Sequence, residues 1–412
     1  MIPALGQDAV LDELLSPESI RERCLKLAER AERGEGYFRV HPEELEVVAD
    51  RVVASTRRRY PDLKIPPHAR WGHFLVGGIN RLSDVDKAFA AQSKEDLARA
   101  RLDLVVVSVL LDAGSGGQWK YDDRRDGRTY ARSEGLAVAS LDLFLSGAFS
   151  SDPDRPYQVD AAGLRALTRE RLANGFQVGP KNPLAGLDGR LELLQNLGKA
   201  LEGDTLRFGS SGRPSGILDY LKADMGGSEW LPARAILDAV LRGFGSIWPG
   251  RLDWKGAPLG DVWEHPALGN VSQPEGWVCF HKLSQWMTYS LLDPAERFGF
   301  TVTDLGQLTG LAEYRNGGLI VDAGLITLED PGLAALEHMP GSELIVEWRA
   351  LTVTWLDRIA SAVRKKLGVS SAQFPLACVL EGGTWWAGRE IASELRPGGN
   401  PPLKLASDGT VF

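Results

Sequence analysis

The stretch LTGLAEYRNGGL, residues 308–319, sets a carboxylate, a phenol, a guanidinium and an amide side by side as Glu313, Tyr314, Arg315 and Asn316. An apolar turn precedes them, and Gly317-Gly318 is expected to stop any helix just after. A carboxyl group held against apolar walls titrates high and can act as acid or base near neutrality. Beside Arg315 it would instead stay ionised and act through its charge. The residues leave these two roles open, together with a purely structural Glu–Arg pair.

Further chemistry-bearing groups are spread along the chain. In FHKLSQWMTYSLL (280–292), helical spacing puts His281, Ser284, Gln285 and Thr288 on one side, with Lys282 and Tyr289 beside them. Phe280, Leu283, Trp286 and Met287 fall opposite. The polar side carries neutral hydrogen-bonding groups rather than Glu and Arg, which suits a pocket lining as well as a solvated face. Glu347 and Arg349 lie two apart in an apolar helical stretch, so they point to different sides and each needs its own partner. Glu347 could orient a neighbouring group and Arg349 could hold a carboxylate or phosphate, unless both are structural ion pairs. EGGTWWAGRE (381–390) joins Glu381, Trp385 and Arg389 after a Gly-Gly turn, a set that suits a sugar or a planar group and equally a core turn. The Gly-rich loop of LLDAGSGGQWKY (110–121) could wrap an anion with its backbone, although it matches neither the P-loop nor the dinucleotide fingerprint. In RSEGLAVASL (132–141), Ser133 and Glu134 behind Arg132 read as a helix cap.

Other chemistries are disfavoured. His41, His68, His73, His265, His281 and His338 form neither H-x-H nor H-E-x-x-H, and no G-x-S-x-G elbow is present, so no metal site and no serine hydrolase is expected. Catalysis would rest on carboxylates helped by amides, arginines and tyrosine. Cys24, Cys279 and Cys378 give no disulfide framework and no zinc spacing. A formal charge of −8 argues against a nucleic-acid partner but not against a small anionic ligand. The most apolar run, Leu104 to Leu111, is too short to span a bilayer, and MIPALGQDAVLDELL lacks the features of a signal peptide. The expectation is a cytoplasmic protein without a membrane partner.

The elements that must position these groups are mostly helices. Ser16 and Pro17 open one, Pro42 another, and Ser93 with Asp96 a third that turns apolar on all sides after Asp103. Further helices are expected at 133–147, 161–173, 187–201, 232–243, 280–292 and 344–367, the last with VRKK near its C-terminal end. LDWKGAPLGDVW reads as a hairpin, and GGLIVDAGLITLED and PPLKLASDGTVF as sources of short extended pieces. The expected fold is mainly α, one compact helical unit over 1–412 with two possible lobes, about 1–150 and 151–412.

In order along the chain, LLDAG, RSEGLAVASL, WPGRL, GDVW, FHKLSQW, LTGLAEYRNGGL, VEWRALTV, LEGGTW and SDGTVF resemble the uracil-catabolism protein four family. That resemblance implies a place in degrading uracil through ribosylated intermediates towards urea. A fainter resemblance, over the C-terminal third, is to the queuosine salvage proteins, N-glycosidases with a helical fold akin to DNA glycosylases. It rests on Lys282 with Gln285, on Leu308 to Arg315, and on Glu347 with Arg349, with glutamate at 313 where that family carries aspartate. Together the resemblances imply a cofactor-free N-ribosidase that releases urea from a ribosylurea or its 5′-phosphate. Glu313 would face the sugar cation or the water, with Glu347 or Glu381 as a supporting carboxyl. Lys282, Arg315 and Arg349 would hold a 5′-phosphate. Gln285, Asn316 and Tyr314 would bond the ureide or ribose hydroxyls, with His281 and Trp385 completing the lining. An amidohydrolase or deaminase acting on the ureide, and a non-catalytic nucleotide-binding protein, are the alternatives.

Overall fold

The computed structural model describes residues 8–248 and 251–406. It is mainly α, as the patterning predicts, with strands of only two or three residues. Ser16 accepts the Ser19 N–H at the start of the Pro17–Glu32 helix, and Ser93 with Asp96 forms the expected capping box on Lys94–Leu110. The Glu343–Leu367 helix ends in Arg364, Lys365 and Lys366 and closes on left-handed Gly368. The helix expected over 161–173 is two, Ala161–Ala166 and Arg169–Gly175. Thr168 breaks it by turning its side chain onto the Arg171 N–H and capping the second piece.

The LDWKG hairpin pairs Asp253–Trp254 with Ala257–Pro258. Ile326–Leu328 pairs antiparallel with Phe38–Val40, and Lys404–Leu405 pairs parallel with Glu337–His338. The SDGTVF motif lies outside the described residues, as does the centre of WPGRL. One cluster of buried apolar side chains runs from Leu11 to Leu403 and draws on every long helix. Within it Glu343–Leu367 packs on Pro17–Glu32 and Leu45–Arg59, Lys94–Leu110 on Lys282–Phe298, and Tyr314–Asp322 on Trp385–Leu395. No helix among the described residues is long and apolar enough to cross a membrane.

Two glycine pairs behave differently from expectation. Gly317-Gly318 does not stop a helix: Tyr314–Asp322 runs straight through it. A Cβ on Gly317 would lie 2.8 Å from the Trp348 ring, whose Nε1–H donates to the Gly317 carbonyl at 3.0 Å. The missing side chain therefore permits helix-on-helix approach rather than chain reversal. Gly382-Gly383 likewise makes no turn out of the helix. It forms the single π-helical turn Leu380–Thr384 between Leu376–Val379 and Trp385–Leu395, where a Cβ on Gly383 would meet Val52 at 2.4 Å. Such widened turns recur at functional sites, and Glu381 sits in this one.

The Lys282–Phe298 helix outruns its expected end at 292 by passing through Pro294. Proline has no N–H for the carbonyl four residues back, that of Ser290. The freed carbonyl accepts the Trp71 indole N–H at 2.8 Å, and the Ser290 hydroxyl accepts the Arg70 backbone N–H at 3.0 Å. A helix defect thus anchors the segment that carries Arg70. Trp71→Phe should leave this carbonyl unpaired and cost about 1–3 kcal/mol. In a Pro294→Ala background the new N–H can serve it, so the same change should cost at least about 1 kcal/mol less. A double-mutant cycle by chemical denaturation checks this, and strict additivity would contradict it.

Candidate functional site

Trp286 and Trp385, from two different helices, bracket a pair of histidines. The His68 ring lies 6.3 Å from Trp286, nearly parallel at 28°, and 6.1 Å from Trp385. His73 meets the same two indoles edge-on, at 6.0 and 6.1 Å. His68 is fixed from both ends: its backbone N–H donates to the Ala377 carbonyl, and its Nδ1–H donates to Glu381 Oε2 at 2.7 Å. The other Glu381 oxygen accepts the Tyr60 hydroxyl at 3.2 Å. Burial works to raise the Glu381 pKa, but the hydrogen bond from His68, with help from that of Tyr60, overrides it and holds the carboxyl below its usual range. Burial, reinforced by the charge of Arg70, pushes His73 down to about 3 and keeps it neutral.

Charged groups close the other side. The fully buried Arg70 lies 2.8 Å from Asp112, donates to Ser108 and to the Ser133 carbonyl, and sits 5.7 Å from the Trp286 ring. Lys282 places its ammonium 5.7 Å from that ring as well. Burial lowers its pKa, against the charges of Glu313 and Asp112. Burial raises Asp112, against Arg70 and Lys282. Ser133 and Glu134 do not cap their helix: the Arg132–Leu145 helix has no side-chain cap, and Glu134 pairs with Arg389 at 2.6 Å beside the Trp385 and Trp386 rings.

Glu313 is the buried N-cap of Tyr314–Asp322. One carboxylate oxygen accepts the Arg315 N–H at 2.6 Å and the other the Asn316 N–H at 2.7 Å. The helix N-terminus thereby supports a negative charge out of contact with bulk water. The Arg315 guanidinium donates one N–H to the Gly399 carbonyl and lies over the Tyr314 ring, and its buried Nε has no partner among the described residues. Burial raises the Tyr314 pKa.

Several buried polar atoms of this region have no hydrogen-bond partner among the described residues: Arg70 Nη2, His73 Nδ1, Asp112 Oδ1, Trp286 Nε1, Asn316 Oδ1 and Thr384 Oγ1. The Asp112 oxygen is close to Arg70 but off the N–H direction. Buried polar groups are ordinarily paired, and a concentration of exceptions on neighbouring residues is what a polar ligand site requires. Gln285 adds one more, since its Oε1 accepts the Thr309 N–H while Nε2 has no partner.

The remaining expected residues are employed elsewhere. His281 stands in a left-handed conformation before its helix and bonds the Leu14 carbonyl through Nε2, and the polar side of that helix is largely buried rather than solvated. Arg349 is not presented to a phosphate: it makes a buried two-pronged pair with Asp261, at 2.8 and 2.7 Å. Burial would raise Asp261, but Arg349 keeps it far below the carboxylate range. Glu347 faces away from Arg349, as their spacing requires. Its Oε1 accepts the Tyr37 and Phe38 N–H groups beside a separate cavity of about 310 Å³ shared with Glu343 and His265. Cys279 is core, its buried thiol pushed up to about 12. At the entry to the Gly-rich loop the carbonyls of Leu111, Ala113 and Gly114 turn inward onto the Arg190 guanidinium. Sequence reasoning missed His68, Arg70, His73, Asp112 and Trp286. The run HARWGH, two histidines five apart with an arginine and a tryptophan between them, was the available signal.

Burial raises Glu347 to about 7, above its unfolded carboxyl value. The folded state thus binds a proton that the unfolded state has released, and stability should fall as pH rises from about 4.5 to about 7. Glu347→Gln retains the oxygen that accepts both N–H groups and removes the titration. Its melting temperature should match the parent near pH 5 and exceed it near pH 8. An equal difference at both pH values would contradict the assignment.

Residues 13–412 match the family model described as "Protein of unknown function (DUF1688)". Protein urg3 of Schizosaccharomyces pombe is 43% identical over 97% of this chain and 98% of its own length. Uracil catabolism protein 4 of Lachancea kluyveri is 39% identical over 96% of this chain and 98% of its own. These relatives bear out the resemblance to the uracil-catabolism protein four family. The chain belongs to the DUF1688 family, whose model matches nearly its whole length.

Proposed function

We propose that the protein acts in uracil catabolism as an N-ribosidase, hydrolysing the C1′–N bond of a ribosylurea or its 5′-phosphate to urea and the free sugar. The pathway follows from the name carried by one relative, Uracil catabolism protein 4. The reaction is supported above all by Glu313, a buried carboxylate with both oxygens on helix N–H groups and the cationic Lys282 within range of its charge.

Cleavage of a C–N glycosidic bond passes through an oxocarbenium-like sugar. An anion fixed in a water-poor site stabilises that cation without having to reorganise. Its carboxylate can also take the proton of an attacking water. The unpaired groups on Asn316, Gln285 and Trp286 suit a ligand with several donors and acceptors, as a ureide and ribose hydroxyls provide. With Arg349 paired to Asp261, Lys282 is the candidate we favour for a 5′-phosphate.

Purified protein should release urea from ribosylurea, its 5′-phosphate, or both. Ammonia in place of urea would assign it to the deaminases, and no product from either compound would remove the reading. Glu313→Gln keeps an acceptor for one N–H and loses the charge. Turnover should fall at least about 100-fold. Stability should drop by no more than about 2 kcal/mol, the cost of a weakened cap. Persistent turnover in a folded variant would move the role to another group.

A further inference from the structure

Both oxygens of Glu381 already accept a hydrogen bond, one from His68 and one from Tyr60. What it fixes is His68. The imidazole is gripped at Nδ1, while Nε2 makes no hydrogen bond among the described residues. The ring lies between two indoles, in the region that holds the unpaired Trp286 Nε1, Thr384 Oγ1 and Arg70 Nη2. A dyad of this kind, histidine facing a site and carboxylate behind it, stabilises an imidazolium and aims its free N–H.

Resting on the N-ribosidase reading of this site, we infer that His68 is the acid that protonates the departing ureide nitrogen, with Glu381 as its positioning residue. The C1′–N bond breaks with its electron pair leaving on nitrogen. The Nε2 proton of the His68 imidazolium passes to that nitrogen and gives neutral urea. Water adds to C1′, and its surplus proton passes to Glu313 and on to solvent, which returns one to His68. Such a division of labour is needed because a ureide anion is a poor leaving group, while Glu313 is committed to the sugar. His73 is not the acid: it is held neutral beside Arg70, and its free Nδ1 serves as a hydrogen-bonding group.

Leaving-group dependence tests this. Ribosylurea needs an acid for departure, whereas a p-nitrophenyl riboside leaves as a stable anion and does not. His68→Gln should lose about 100-fold or more in kcat on ribosylurea, but less than about 10-fold on the p-nitrophenyl riboside. Glu313→Gln should fail on both. Glu381→Gln should follow the His68 pattern with a smaller loss, chiefly in kcat rather than KM, because it acts through orientation. Equal losses on the two substrates in folded His68→Gln and Glu381→Gln proteins would overturn the role of the dyad and leave the ribosidase reading intact. A parent protein that releases no urea from ribosylurea or from its 5′-phosphate would overturn both.

Discussion

The capture of the Glu313 carboxylate by the Arg315 and Asn316 N–H groups is the interaction on which the rest of the site turns. A carboxylate removed from water persists as an anion only where donors replace the lost hydration. Here the donors are backbone groups that the helix start would otherwise leave unpaired. Their position is set by packing, because Gly317 lets Trp348 of the Glu343–Leu367 helix come to contact distance of the Tyr314–Asp322 backbone. The same short helix lies on Trp385–Leu395, which begins with the indole beside His68 and His73. One cap, one close helix contact and one aromatic pair are therefore mechanically linked.

Around that anion the molecule keeps an arrangement that folding alone would not select. Arg70 is buried without full hydrogen bonding, Asp112 is raised by burial despite a nearby cation, and Lys282 is lowered. Each is a local cost that the large apolar core must offset. By contrast, the Arg349–Asp261 pair and the Arg190 cradle have directed partners, and they read as structure.

Much of this was legible in the sequence. Caps fixed the starts of Pro17–Glu32 and Lys94–Leu110, and in the four-residue cluster at Glu313 the carboxyl caps the helix that carries the other three. What failed were readings that needed a partner distant in sequence. Glycine pairs at 317 and 382 look like stops until the facing Trp348 and Val52 are known. Pro294 looks like an end until Trp71 takes up the carbonyl it frees. Ser133 and Glu134 look like a cap until Arg389 takes the Glu134 carboxylate. Trp286 was placed on the apolar side by periodicity, correctly as packing, but its free Nε1 and flanking histidines come from tertiary contacts that no spacing rule encodes.

A crystal structure of the Glu313→Gln protein soaked with ribosylurea tests the central claim most directly. The account predicts the ureide beside Trp286, Trp385 and His68, with the sugar C1′ within about 3.5 Å of the side chain at 313, a near-attack distance. Ligand bound beside Glu347, or bound with its sugar remote from residue 313, would contradict it.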